Sequence, residues 1–191
     1  MMHVFKIEDA LKDLKRVELA KAIREGKILF YPTDTVYAIG CNAIKTESVE
    51  KIIKAKKREG KTLSIIAPSK QWIVENCKMT RDIFEFIDKL LPGPYTVVLK
   101  ARINIPYIVS SDEKIAIRIP RNEFCDFIRS QGFPFVTTSA GLSNEEKATS
   151  VKNIPGPISE IIDYAIDAGV IEGDLSRIFD LSEKEIKIIR W

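Results

Sequence analysis

Short apolar runs alternate with segments of helical period along the whole chain, and that alternation leaves few folds open. Residues 27–31, 63–67, 95–100, 115–119, 135–138, 176–181 and 185–190 read as strands. Between them the period changes to that of a helix. Over 9–26, Leu11, Leu14, Leu19, Ala22 and Ile23 recur at helical spacing, and Gly26 sits at the C-cap. Thr46 reads as the N-cap of a helix with Val49, Ile52 and Ile53 inward. Helical patterns follow Ser69 and Thr80, and the second runs into the breaker Leu91-Pro92-Gly93-Pro94. Asn122 suits the cap of a helix through Phe124, Phe127 and Ile128, and 157–164 reads as helix. Interleaving of this kind predicts an α/β or α+β fold with a mixed sheet. With no internal repeat and no long linker, residues 1–191 are expected to form a single domain.

Composition narrows the chemistry. A formal net charge of +3 is too mild to mark a nucleic-acid protein. The one histidine, His3, lies near an end expected to be mobile, which removes Ser-His-Asp, Cys-His and multi-histidine metal sites. Cys41, Cys77 and Cys125 are far apart and form no CxxC pair, so neither zinc nor a disulfide framework is suggested, and a reducing cytosol is expected. No apolar run approaches membrane-spanning length, and the N-terminus has no signal-like h-region. Asp34 and Asp180 stand apart from other carboxylates, so no protein-bound metal cage is expected, whereas Mg²⁺ carried by ATP needs none.

Four stretches could carry chemistry. Tyr31-Pro32-Thr33-Asp34-Thr35-Val36-Tyr37 follows a buried strand, where open sheets bind ligands, yet it reads equally as a turn that satisfies its own backbone. Lys54-Ala55-Lys56-Lys57-Arg58 ends a helix; it is either a dipole-matched solvated end or a phosphate clamp. The nearby Glu59-Gly60-Lys61-Thr62 is no Walker loop, because Ala55 occupies the position of the required glycine. Ile115-Ala116-Ile117-Arg118-Ile119-Pro120 places an arginine in an apolar strand, facing either a carboxylate in a cleft or open water. Thr137-Thr138-Ser139-Ala140-Gly141-Leu142-Ser143-Asn144 offers hydroxyls and backbone N–H groups to an anion, or is a plain loop.

Taken in order, these stretches resemble the YrdC-like family from about residue 26 to 190. The resemblance also draws on the stretch Leu90-Leu91-Pro92-Gly93-Pro94-Tyr95-Thr96-Val97-Val98-Leu99 and the late run Leu175-Ser176-Arg177-Ile178-Phe179-Asp180. It implies a twisted mixed sheet with flanking helices and a basic concave cleft. The implied reaction joins L-threonine, bicarbonate and ATP into threonylcarbamoyl-AMP and pyrophosphate, for threonylcarbamoyladenosine at tRNA position 37. The short single-domain form is implied, in the cytoplasm, with contact to tRNA or double-stranded RNA and a downstream threonylcarbamoyl transferase as partners.

Residue by residue, the resemblance implies catalytic roles for Lys56, Arg58 and Ser139. It implies ATP contacts at Lys56, Arg58, Thr62, Lys114, Ser139, Lys147 and Arg190, and threonine contacts at Thr35, Arg118, Thr137 and Ser176. The sequence departs from the family pattern at Gly141, where an Asn is usual, at Ala67 in place of a His, and at Arg177 in the late motif; Asn144 is a candidate substitute for the missing Asn. A non-catalytic RNA-binding protein of the same fold, and a paralogue activating another carbamoyl-type substrate, remain as alternatives.

Overall fold

A computed structural model describes residues 2–57, 63–106, 108, 110, 112–142, 147–183 and 185–191. Its strands are β1 His3–Lys6, β2 Leu29–Tyr31, β3 Ala38–Gly40, β4 Ser64–Ile66, β5 Cys77–Lys78, β6 Tyr95–Ala101, β7 Lys114–Arg118, β8 Phe135–Ser139, β9 Tyr164–Asp167, β10 Arg177–Asp180 and β11 Lys187–Arg190. They form one mixed sheet in the order β1-β9-β2-β3-β8-β4-β7-β6-β10-β11, with β5 paired to β6. The helices are α1 Ile7–Ala10, α2 Asp13–Glu25, α3 Thr46–Ala55, α4 Lys70–Asn76, α5 Arg81–Leu90, α6 Glu123–Arg129 and α7 Gly156–Ser159.

The mixed α/β class expected from the sequence is therefore present. Its caps follow from side-chain chemistry: Ser69 accepts from the Trp72 N–H, Thr80 from the Ile83 N–H, and Asn122 from the Phe124 and Cys125 N–H groups. Gly26 takes the left-handed conformation (φ 85°) and closes α2.

Several local expectations need correction. The 9–26 helix is broken in two before Asp13, whose φ is +42°, and Leu14 is 84% exposed. Thr46 is the first helical residue of α3, not its cap. The 157–164 helix shrinks to the four residues of α7, because Tyr164 begins a strand. That strand, β9, pairs in parallel with both β1 and β2, so the His3 end is a sheet edge and not a loose tail. A central position in the sheet overrides helical period here.

Strand alternation sorts the sheet into two faces. On the first, Phe30, Ile39, Val136, Ile65, Ile117, Val97 and Phe179 form a continuous core with Val49 and Ile52 of α3, Ile73 of α4, Ile87 of α5 and Ile158 of α7. On the second, Leu29, Tyr31, Ala38, Phe135 and Ile66 pack against Leu19 and Ile23 of α2 and against Phe124, Phe127 and Ile128 of α6. That second cluster stops short of β7, β6 and β10. Ala116, Val98 and Ile178, which continue the same face, are only half-buried. The uncovered half-face is the concavity in which the site lies. Gly40 permits the tight β3–β8 approach: a Cβ there would sit 1.9 Å from the Val136 carbonyl oxygen.

Candidate active site

The uncovered face holds a cavity of about 100 Å³ lined by Val36, Ala38, Ser64, Thr96, Arg118, Thr137, Thr138, Ser139, Leu175, Ser176, Ile178 and Arg190. Five of the residues expected to bind substrate (Arg118, Thr137, Ser139, Ser176 and Arg190) meet there from β7, β8, the approach to β10, and β11. The side chains of 137 and 139 share a face because strand residues two apart do so.

Arg118 is the most constrained of them. It is 7% exposed on an interior strand, between β4 and β6, so it faces neither an edge nor open water. Its Nη2 donates to Asp34 Oδ1 (2.9 Å) and to Thr35 Oγ1 (3.1 Å). Asp34 Oδ2 in turn accepts the Arg121 N–H at 2.9 Å. The Arg118 Nε is buried with no hydrogen-bond partner. An unsatisfied charged donor in a buried setting is costly.

The Thr33–Thr35 turn satisfies its own backbone, one of the two readings the sequence allowed. Thr33 Oγ1 donates to the Val36 carbonyl (2.6 Å) and accepts the N–H groups of Thr35 and Val36. The Thr33 and Thr35 hydroxyls lie 2.9 Å apart, and either can be the donor of that contact. Thr35 Oγ1 also accepts from the Arg118 guanidinium. Gly173 crosses this turn closely; a Cβ would lie 2.0 Å from the Thr35 carbonyl oxygen. Thr137 Oγ1 accepts from the Tyr31 hydroxyl at 2.8 Å, and burial pushes the Tyr31 phenol well above its ordinary value, so it stays a donor. Thr137 keeps its own hydrogen for another acceptor.

Lys56 is buried, and its ammonium donates to the carbonyls of Ser139 (2.6 Å) and Gly141. It therefore clamps the loop after β8 through the backbone. Arg190 donates from Nε to the Ser176 carbonyl (2.8 Å) and from Nη2 to Ser176 Oγ (3.1 Å). Lys147 lines a neighbouring cavity of about 540 Å³, together with Thr149, Asn153, Glu172, Gly173 and Asp174; Val36 borders both cavities. Lys114 shares the face of Arg118 but pairs with Asp180 at 3.2 Å, away from the small cavity. The side-chain hydrogen bond from Lys114 to Asp180 holds the ammonium above its ordinary value. Arg58, Thr62 and Asn144 lie outside the described residues.

Sequence reasoning passed over three contributors: Asp34, which holds Arg118; Tyr31, which holds Thr137; and Thr96, which touches Ser176. Only their partners across the sheet reveal them, although Thr96 shares the strand parity of Val98 and Lys100. Among the described residues, no group of three or more His, Cys, Asp or Glu side chains is placed to hold a metal ion. Burial pushes the Cys77 thiol up to about 12 and raises Cys41 and Cys125 further, so none is a thiolate near neutrality. No helix among the described residues is long and apolar enough to cross a membrane.

The chain is 40% identical over 153 residues to a Methanocaldococcus jannaschii protein named "Putative threonylcarbamoyl-AMP synthase", covering 79% of this chain and 72% of that one. Pyrococcus abyssi Sua5, solved in complex with L-threonine, superposes over the full length with a TM-score of 0.86 and 27% identity; the chain spans 57% of that longer protein. Escherichia coli YciO superposes with a TM-score of 0.89 at 21% identity, covering 100% of this chain and 95% of that one, a likeness of fold. The Sua5/YciO/YrdC family model, described as "Telomere recombination", matches residues 21–191 and so takes in every strand that lines the cavity. A half-covered mixed sheet, a buried arginine at its concave face and a match of that extent together place this chain in the Sua5/YciO/YrdC family.

Proposed function

We propose that the protein is an L-threonylcarbamoyladenylate synthase acting in the cytoplasm, supplying the activated group for threonylcarbamoyladenosine at position 37 of tRNA. The observation that carries this reading is the buried Arg118 guanidinium, whose Nε lacks a partner and which lines a cavity with the hydroxyls of Ser64, Thr96, Thr137, Thr138, Ser139 and Ser176. A small amino acid with a free carboxylate supplies the missing acceptor. The L-threonine complex of the related Sua5 agrees with that choice.

In this reading Arg118 takes the threonine carboxylate, and the Thr35 hydroxyl takes an amine N–H. The amine nitrogen attacks the carbon of CO₂ or bicarbonate to give a carbamate; from bicarbonate, water leaves. A carbamate oxygen then attacks the α-phosphorus of ATP, and the bond to pyrophosphate breaks. Such a step needs positioning and charge neutralisation more than a covalent nucleophile. Arg190, Arg58, Lys114, Lys147 and Thr62 are assigned to the nucleotide side. Ser139 presents its hydroxyl there from a loop that Lys56 holds by two carbonyls. Mg²⁺ rides on the triphosphate. The product passes to a threonylcarbamoyl transferase, and contact with RNA belongs to the same proposal.

The test is mass spectrometry of products formed from ATP, Mg²⁺, L-threonine and bicarbonate, with each omitted in turn. Threonylcarbamoyl-AMP and pyrophosphate should appear only in the complete mixture. Adenylate formation that ignores threonine would move the chain to another carbamoyl-type substrate. No turnover, together with salt-dependent tRNA binding, would make it an RNA-binding protein.

A further inference from the structure

Thr96 has no role in the reaction proposed above, although it is 2% exposed and lines the cavity. Its Oγ1 lies 2.8 Å from Ser176 Oγ, and either can be the donor. Ser176 is pinned on its other side by Arg190, which donates to both its carbonyl and its hydroxyl. Two hydroxyls bring two hydrogens. One is used between them, and the Arg190 contact consumes only a lone pair. One hydrogen and free lone pairs are therefore left over, with no further hydrogen bond to either hydroxyl among the described residues.

A pair offering one donor and one acceptor side by side is the complement of an alcohol, which must both give and receive. A carboxylate or phosphate has no hydrogen to give, and an ammonium has no lone pair to receive with. Thr96 also sits one residue beyond the Val97–Ile117 pair, on the side of Arg118, on a strand about 4.8 Å away. Arg118, Thr96 and Ser176 thus line the same small cavity, within the span of a small amino acid.

We propose that the Thr96–Ser176 pair, fixed by Arg190, receives the side-chain hydroxyl of the amino-acid substrate, and that Thr96 determines the preference for threonine over its deoxy analogue. This rests on the synthase reading above. A site built to hydrogen-bond a substrate hydroxyl rejects an analogue lacking it, because its own polar groups are then left unpaired. Thr96→Val keeps the shape and removes the hydroxyl; Thr96→Ser keeps the hydroxyl.

The measurement is calorimetric affinity of the full chain, with ATP present, for L-threonine and for L-2-aminobutyrate. The wild type should favour threonine by about tenfold or more. In Thr96→Val that preference should collapse through weaker threonine binding, with 2-aminobutyrate affinity unchanged. Thr96→Ser should retain the preference. An undiminished preference in Thr96→Val, or an equal loss for both amino acids, overturns the assignment of Thr96 alone. Failure of the wild type to bind either amino acid removes the synthase reading, and this assignment with it.

Discussion

Arg118 would be an expensive residue if it stood alone. The charge is buried, and Asp34, itself held by the Arg121 N–H, offsets it from 84 positions away. Removing one partner of a buried pair leaves an uncompensated charge and costs about 3–5 kcal/mol, whereas replacing both with apolar groups is far milder. Asp34→Ala should therefore lower the denaturant midpoint sharply, and the double variant Asp34→Ala/Arg118→Met should recover most of that loss. A double variant no more stable than Asp34→Ala would show that the two charges do not depend on each other. The motif 31–37 was legible as a turn that satisfies its own backbone, but its aspartate was not legible as the counter-ion of Arg118. Nothing within the motif indicates which distant cation it meets.

At the scale of elements, most strands and helix caps could be read from period and capping chemistry, because those signals are local. The misses were β1, β3, β5 and β9, strands of two to four residues, too short to show a period. Asp180 shows how the ends of such strands are tied. Burial pushes its carboxyl upward, but the Ser182 hydroxyl and N–H and the Lys114 ammonium outweigh that and hold it below its ordinary value. A depressed folded-state value stabilises the fold above the unfolded-state value, and that contribution is lost as pH falls through the folded one. The stability difference between wild type and Asp180→Asn should accordingly be constant near neutrality. It should shrink once pH drops below about 3.9, the ordinary aspartate value. Urea titrations at a series of pH values test this; a difference that grows on acidification would contradict it.

For the whole molecule, one sheet runs from β1 to β11, and both core clusters draw residues from its middle strands. The single domain expected for residues 1–191 should then unfold in one step. Far-ultraviolet circular dichroism and the fluorescence of Trp72 and Trp191 should give coincident thermal transitions. Two separated transitions would divide the chain.

By itself, the sequence determined the α/β class, the stops and caps of most helices, and the residue types able to handle an anion without histidine or metal. These follow from side-chain period and from chemistry that acts over a few residues. The tertiary structure alone decided that α2 and α6 cover only half of one sheet face. It also decided that Asp34 meets Arg118, that Lys56 holds the loop after β8, and that Thr96 meets Ser176. Each of those pairings spans roughly 80 residues or more, and a register shift of one residue would turn the strand side chains Arg118 and Thr96 to the opposite face.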